Sequence, residues 1–228
     1  MGDGRQPREA GQLTRPTDDG RTPTVSVIQL ARSRRMTRSF DDRPVGQGVV
    51  DAFVDAARLA PVAGNSTTPE FLVLAGSSEV GSYWDVTLAA DQRDGFAWPG
   101  LLLAPVLVLI FVEPEAYLRR YSEPDKLRAG LGDSLDAWST PYWWVDGGMA
   151  AMTILLAVEE AGLGALFFGL FEHEEAVKKR FGVPSGRRGA GVIALGHRAA
   201  DQRPSSSAER GRRSLREVTH RSRWDSTG

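Results

Sequence analysis

Large apolar side chains are almost missing from positions 1–24, where Gly, Arg, Asp, Thr and Pro dominate. Such a stretch cannot recover the entropy lost on ordering, which predicts a disordered leader over 1–24 and a single domain over 25–228. From Val25 the pattern changes. Val27, Ile28 and Leu30 predict a short helix whose end delivers Arg34 and Arg35. A turn follows at 41–44. Val49, Val50, Phe53, Val54, Ala57 and Ala60 then recur at helical spacing until Pro61 stops the run. Positions 71–74 read as a short buried strand and 79–89 as a helix. Val106 to Phe111 are apolar at every position, as in a central strand covered on both faces.

The segment 113–142 mixes Pro, Gly, Asp and aromatic residues, which predicts an irregular loop long enough to cover a site. Over 145–158 small and apolar side chains occupy nearly every helical face, predicting a helix buried all round. Gly147, Gly148, Ala150 and Ala151 allow it close contact with another helix, including one from a second subunit. Gly162-Leu163-Gly164 ends that helix, 165–168 reads as a strand, and Gly169 follows where backbone must approach closely. Positions 172–181 form an exposed helix with its acids first and Lys178, Lys179 and Arg180 last, as the helix dipole favours. A final core strand occupies 191–196. Leu215, Val218 and Trp224 punctuate the basic tail at intervals that predict docking of its middle. No repeat of solenoid period is present.

With 228 residues, 41% of them hydrophobic, the chain has material for one good core. Its 28 basic and 29 acidic residues nearly cancel, so nothing draws the whole chain to nucleic acid or anionic lipid. The arginines of the tail have no aromatic platform or reading helix beside them, and no nucleic-acid partner is expected. The longest apolar run is broken by Pro105, so no membrane span is expected either. Ser33-Arg34-Arg35 lacks the hydrophobic segment of an export signal, which points to a cytoplasmic protein. The absence of cysteine excludes disulfides, thiolate metal sites and a cysteine nucleophile. His173, His197 and His220 show no metal-ligand spacing, and no metal is expected.

Two segments carry the candidate chemistry. Arg34-Arg35-Met36-Thr37-Arg38-Ser39-Phe40 is a compact anion grip, because guanidinium groups hold phosphate through forked, charge-assisted hydrogen bonds. Ala60-Pro61-Val62-Ala63-Gly64-Asn65-Ser66 is a small-residue turn whose amides and short side chains can approach a flat polar ring. Together they suggest a cradle for a phosphorylated cofactor.

The order of these and later motifs resembles the FMN-dependent nitroreductase family, particularly its actinobacterial-type branch, from about Gln29 to Trp224. Members open with Arg-Arg-Ser-x-Arg-x-Phe and then Pro-Val, here 34–40 and Pro44-Val45. They continue with Ala-Pro-Ser-Ala-Gly-Asn-Ser-Gln-Pro-Trp-x-Phe, here 60–71. Ala104-Pro105 before a strand, Asp146 in a small-residue helix, Gly162-Leu163-Gly164 before the strand leading to Gly169, and Arg210 and Arg212 before Trp224 fall in register.

The resemblance implies an α+β fold: a central, mainly antiparallel sheet flanked by helices, in an intertwined homodimer whose C-terminal segment exchanges onto the partner's sheet. It implies FMN bound at the dimer interface, with NAD(P)H as electron donor and an electron-poor small molecule as acceptor. Arg34, Arg35, Arg38, Arg210 and Arg212 would hold the phosphate and ribityl chain. Asn65, Ser66 and Thr67 would face the flavin, Phe168 and Gly169 would offer backbone groups near its edge, and Tyr142 and Trp143 would lie on the substrate side. No catalytic acid or base is required, since the flavin is the reactive centre.

Two departures bear on this picture. Met36 replaces a serine of the phosphate grip, and Thr67-Thr68-Pro69 replaces Gln-Pro-Trp. Rival readings within the same resemblance are a flavin- or deazaflavin-dependent dehydrogenase of a natural-product or peptide substrate and a non-catalytic flavin-sequestering protein.

Overall fold

The computed structural model describes residues 26–206 and 210–224, so the leader expected over 1–24 lies outside the described residues. Strands β1 (Glu70–Ala75), β2 (Val106–Val112), β3 (Gly164–Phe168) and β4 (Arg188–Gly196) form one antiparallel sheet in the order β1-β2-β4-β3. Every residue of β2 is buried, as its unbroken apolar run requires. Leu72 pairs with Leu109, and Leu109 with Val192. The register slips where Ile110 faces Gly191 and Phe111 faces Gly189, leaving Ala190 as the extra residue of a bulge. Gly191 has φ +151°, and a Cβ there would meet the Phe167 ring at 2.4 Å, so glycine lets β3 lie close.

Alternation along β2 divides the core. Leu107, Leu109 and Phe111 face Val80, Tyr83 and Trp84 of α3 (Ser77–Thr87) and Val177 of α6 (Glu174–Phe181). Val106, Val108 and Ile110 face Val50, Phe53 and Ala57 of α2 (Gln47–Arg58) and Ala150, Ile154 and Val158 of α5 (Tyr142–Glu160). The antiparallel sheet therefore has helices on both faces, which is the expected α+β class. A third cluster of Val112, Tyr117, Trp138 and Trp143 closes the far end of β2.

Two expectations need correction. The segment 113–142 is not irregular throughout: it opens with α4 (Pro114–Tyr121), where Pro114 occupies the first helical turn and Ala116 and Tyr117 turn inward. Helix α5 begins at Tyr142 and is not buried all round in the single chain. Tyr142, Val145, Met149 and Met152 recur on one face and stand 36–44% exposed. In the single chain α7 (Leu215–Val218) is exposed and Trp224 is 80% exposed. Among the described residues the tail contributes no strand.

Candidate active site

Helix α1 (Val27–Ser33) starts at a capping box in which Ser26 and Gln29 satisfy each other's backbone amides. It stops at Arg34, whose φ of −50° and ψ of 127° turn the chain out into an extended path. That path is pinned to the sheet edge. Met36 bridges to Ala165, Thr37 donates its amide to the Ala165 carbonyl at 2.8 Å, and Phe40 bridges to Arg198.

The predicted arginines have different environments. Arg34 is half-buried, and its Nε and Nη1 are buried without any hydrogen-bond partner. Buried guanidinium donors in a folded chain are almost always satisfied, which makes this group a candidate for an acceptor from outside the chain. Arg35 is turned back instead: its Nη1 donates to the carbonyls of Arg32, Ser33 and Arg34 at 2.6, 3.1 and 3.0 Å, capping the helix end. Arg38 lies over the Trp98 ring at 5.2 Å, and Arg203 lies over the same ring at 4.6 Å. Arg210 and Arg212 are exposed ahead of α7.

The second segment forms a tight turn after α2. Gly64 and Asn65 adopt successive left-handed conformations, with φ of 63° and 52°. Glycine is required at 64, because a Cβ would sit 2.7 Å from the Tyr121 ring. The Ala63 amide donates to Asp146 Oδ2 at 2.8 Å, and the Tyr117 hydroxyl donates to the same oxygen at 2.7 Å. Burial, then the Asp146 hydrogen bond, pushes the Tyr117 phenol up, so it remains a neutral donor. Arg120 Nε donates to the Gly64 carbonyl at 2.9 Å. Ser66 Oγ donates to the Ala63 carbonyl at 2.6 Å, and Thr67 Oγ1 makes only a long contact of 3.4 Å to the Thr68 carbonyl. Asn65 is exposed.

At the end of β3 the Phe168 ring stacks on Trp84 at 6.1 Å, and Phe168 pairs with Val192 of β4. Gly169 is followed closely by Phe171, an exposed aromatic with φ of 48° whose ring lies against the glycine. Tyr142 is exposed, whereas Trp143 is buried among Tyr117 and Trp138. The Trp143 ring is thus packed in the core of the single chain, because the helix that carries it begins earlier than its sequence suggests.

The two halves of the predicted cradle do not meet on one chain. Asp146, near the start of α5, holds the 63–66 turn, whereas Glu159, near its end, pairs at 2.6 Å with Arg198, the residue bridged to Phe40. About 20 Å of helix axis separates Asp146 from Glu159 at ~1.5 Å per residue. Two surface cavities, of about 410 and 530 Å³, are lined by neither Arg34, Asn65 nor Gly169. Sequence reasoning also missed Tyr117, Arg120, Trp98 and Arg203. The first two lie on α4, whose inner face carries too few apolar positions to show a period. The last two carry no motif.

The fold has counterparts in known proteins. A protein of Methanothermobacter thermautotrophicus with the provisional name NADH dehydrogenase/NAD(P)H nitroreductase is 26% identical over 186 residues, covering 79% of this chain and 82% of the relative. An FMN-dependent nitroreductase of Clostridium difficile R20291 superimposes with a TM-score of 0.60 at 19% identity, covering 87% of this chain and all of the other. The nitroreductase CinD of Lactococcus lactis, solved with 4-nitrophenol, gives a TM-score of 0.62 at 22% identity, covering 83% of this chain and all of CinD. Residues 31–197, which run from the end of α1 through the arginine segment and the 63–66 turn to the close of β4, match the family model described as the nitroreductase family, and the chain belongs to that family.

Proposed function

We propose that the protein is an FMN-dependent oxidoreductase that passes hydride from NAD(P)H to an electron-poor small molecule, working as a homodimer with each flavin held between two copies. The unpartnered, buried Nε and Nη1 of Arg34 carry this reading. A dianionic phosphate supplies the acceptors that this guanidinium lacks. The FMN-dependent Clostridium difficile relative and CinD, solved with nicotinic acid and with 4-nitrophenol, support the choice of cofactor, donor and acceptor class.

Bound FMN would supply a two-electron carrier between a dihydronicotinamide donor and the acceptor. The protein's part is positional. Arg34 and Arg38 hold negative charge at the sheet edge, and Arg210 and Arg212 of the tail add to that hold. Asn65, Ser66 and Thr67 bring short polar groups to the ring, and the Phe168 and Gly169 backbone contributes at its edge. Tyr142 presents an aromatic wall to the acceptor.

The separation of the halves supports the dimeric reading. Pairing two α5 helices antiparallel across their uncovered Tyr142, Val145, Met149 and Met152 face would bring the turn of one chain to the arginine segment of the other. The exposed Leu215, Val218 and Trp224 would be covered in the same step by docking of the tail on the partner. Mass spectrometry of the small molecule released from purified protein tests the reading, with FMN expected. Release of a deazaflavin would favour the dehydrogenase alternative, and a cofactor that NADH and NADPH never bleach under anaerobic conditions would favour sequestration. Protein that neither contains FMN nor takes it up would end the proposal.

A further inference from the structure

Two side chains that make no ligand contact in the proposed chemistry, Asp146 and Arg120, hold the backbone of the 63–66 turn, and a third, Tyr117, braces Asp146. Asp146 is 2% exposed, and one of its carboxylate oxygens accepts both the Ala63 amide and the Tyr117 hydroxyl. A carboxylate that deep is tolerated where donors replace its lost hydration, and these two donors come from different elements, the turn and α4. Arg120 takes the neighbouring carbonyl, that of Gly64. Its own terminal nitrogens donate to Asp125 at 2.7 Å each and to Glu123 at 2.9 Å, which orients the guanidinium with its Nε toward the turn. The Tyr121 ring fills the space beneath Gly64.

The turn is therefore gripped at the Ala63 N–H and the Gly64 C=O, immediately before Asn65, the second of two left-handed residues. The exposed Asn65 side chain takes its direction from that backbone.

We infer that Asp146, Tyr117 and Arg120 are positioning residues for the cofactor, acting through the turn to hold Asn65 and Ser66 where they complete a flavin site. The inference rests on the flavin reading above. It gives α4 a specific task as the outer jaw of a clamp whose inner jaw is α5. The clamp lies on the small aromatic cluster at the end of β2, outside the two main core layers. Its loosening therefore separates from loss of the fold.

The test compares full-length wild type with Arg120→Ala, Asp146→Ala and Asp146→Asn by amide hydrogen exchange on cofactor-free protein and by fluorescence titration with FMN. Arg120→Ala and Asp146→Ala are expected to speed exchange at 63–66 and to weaken FMN binding roughly tenfold each, with β2 and β4 amides still protected. Asp146→Asn keeps an oxygen where both donors point and is expected to restore most of the affinity. Arg120 is partly exposed and lies outside the aromatic cluster, so its variant reports even if Asp146→Ala does not fold. Faster exchange at the turn with unchanged FMN affinity overturns the inference, as does unchanged exchange at the turn. Parallel loss of β2 and β4 protection assigns these residues to the fold and overturns it too. A wild type that takes up no FMN removes the functional reading itself, whereas wild-type uptake matched by every variant removes only the clamp.

Discussion

Replacing Arg34 with methionine should push the stability of the cofactor-free protein and its affinity for FMN in opposite directions. Methionine keeps an unbranched stem in the half-buried slot and removes the guanidinium, two of whose nitrogens are buried without partners. Each unsatisfied buried donor costs about 1–3 kcal/mol. The charge is half-buried rather than enclosed, so the gain on removing it is smaller than two full penalties, about 1–2 kcal/mol. For a domain of this size that corresponds to a rise in Tm of about 2–8 °C. A hydrogen bond to a charged group contributes about 1.5–3 kcal/mol, so the same substitution should weaken FMN by roughly 10- to 150-fold. Thermal unfolding of cofactor-free protein and flavin fluorescence titration measure the two effects separately. Arg35→Met is the matched control. Its guanidinium caps three carbonyls of α1, so its loss should lower stability by about 0.5–1 kcal/mol with a smaller effect on FMN. A cofactor-free Arg34→Met protein less stable than wild type, with wild-type FMN affinity, would refute the assignment of Arg34 as the anion grip.

Further outcomes follow from the same geometry. Mixing Arg34→Ala chains with Asn65→Ala chains should yield hybrid dimers with roughly one intact flavin site in two, because the lesions fall together in one shared site; hybrids that recover no flavin binding would place both segments in one chain's site. Phe171→Gly removes a left-handed phenylalanine and should raise the Tm of the cofactor-free protein by an amount equivalent to about 1 kcal/mol, read by thermal unfolding, and a lowered Tm would mean that the ring is structural. Tyr83 and Tyr117 both have phenols pushed up by burial, so their contribution to stability is complete below the unfolded tyrosine range near pH 10 and is lost as pH rises beyond it. Urea unfolding from pH 8 to 11 should show this decline, shallower in Tyr117→Phe; an equal slope in that variant would contradict it.

The strands and most helices were legible because one signal, the period of apolar positions, dictates both where they form and which face they bury. β2 is the clearest case: nothing but a doubly covered strand accommodates Val106 to Val112, and every one of these residues is buried. α4 was illegible for the opposite reason. Its eight residues include Glu115, Arg119 and Arg120, and only Ala116 and Tyr117 mark its inner face beyond Pro114, too few to show a period. The uncovered face of α5 misled differently, since Tyr142, Val145, Met149 and Met152 have the composition of core whether the covering partner belongs to the same chain or to another. At the site, residue types were readable but their commitments were not. Arg34 and Arg35 are adjacent and chemically identical, yet the break in backbone direction at Arg34 buries one guanidinium without partners and turns the next onto the helix end.

The same break gives physical content to the departure at Met36. A serine there would offer a hydroxyl to an anion. The methionine is partly buried and packs against both core layers at once, next to its bridge with Ala165 at the edge of the sheet. An unbranched, polarizable side chain suits a gap between two layers of different shape. The extended path from Arg34 to Phe40 is thus fastened by packing at Met36 and by the Thr37 amide, rather than by contacts to an anion. A grip whose backbone is fixed before ligand arrives loses less conformational entropy on binding, which offsets part of the missing hydroxyl. The Thr67-Thr68-Pro69 departure follows a related logic on the other half of the cradle: Pro69 is buried directly ahead of β1, and the turn before it is already held from α4 and α5. In both halves of the proposed cradle the chain fixes its backbone by contacts within its own fold, and on the flavin reading this would leave short or charged side chains to meet the ligand.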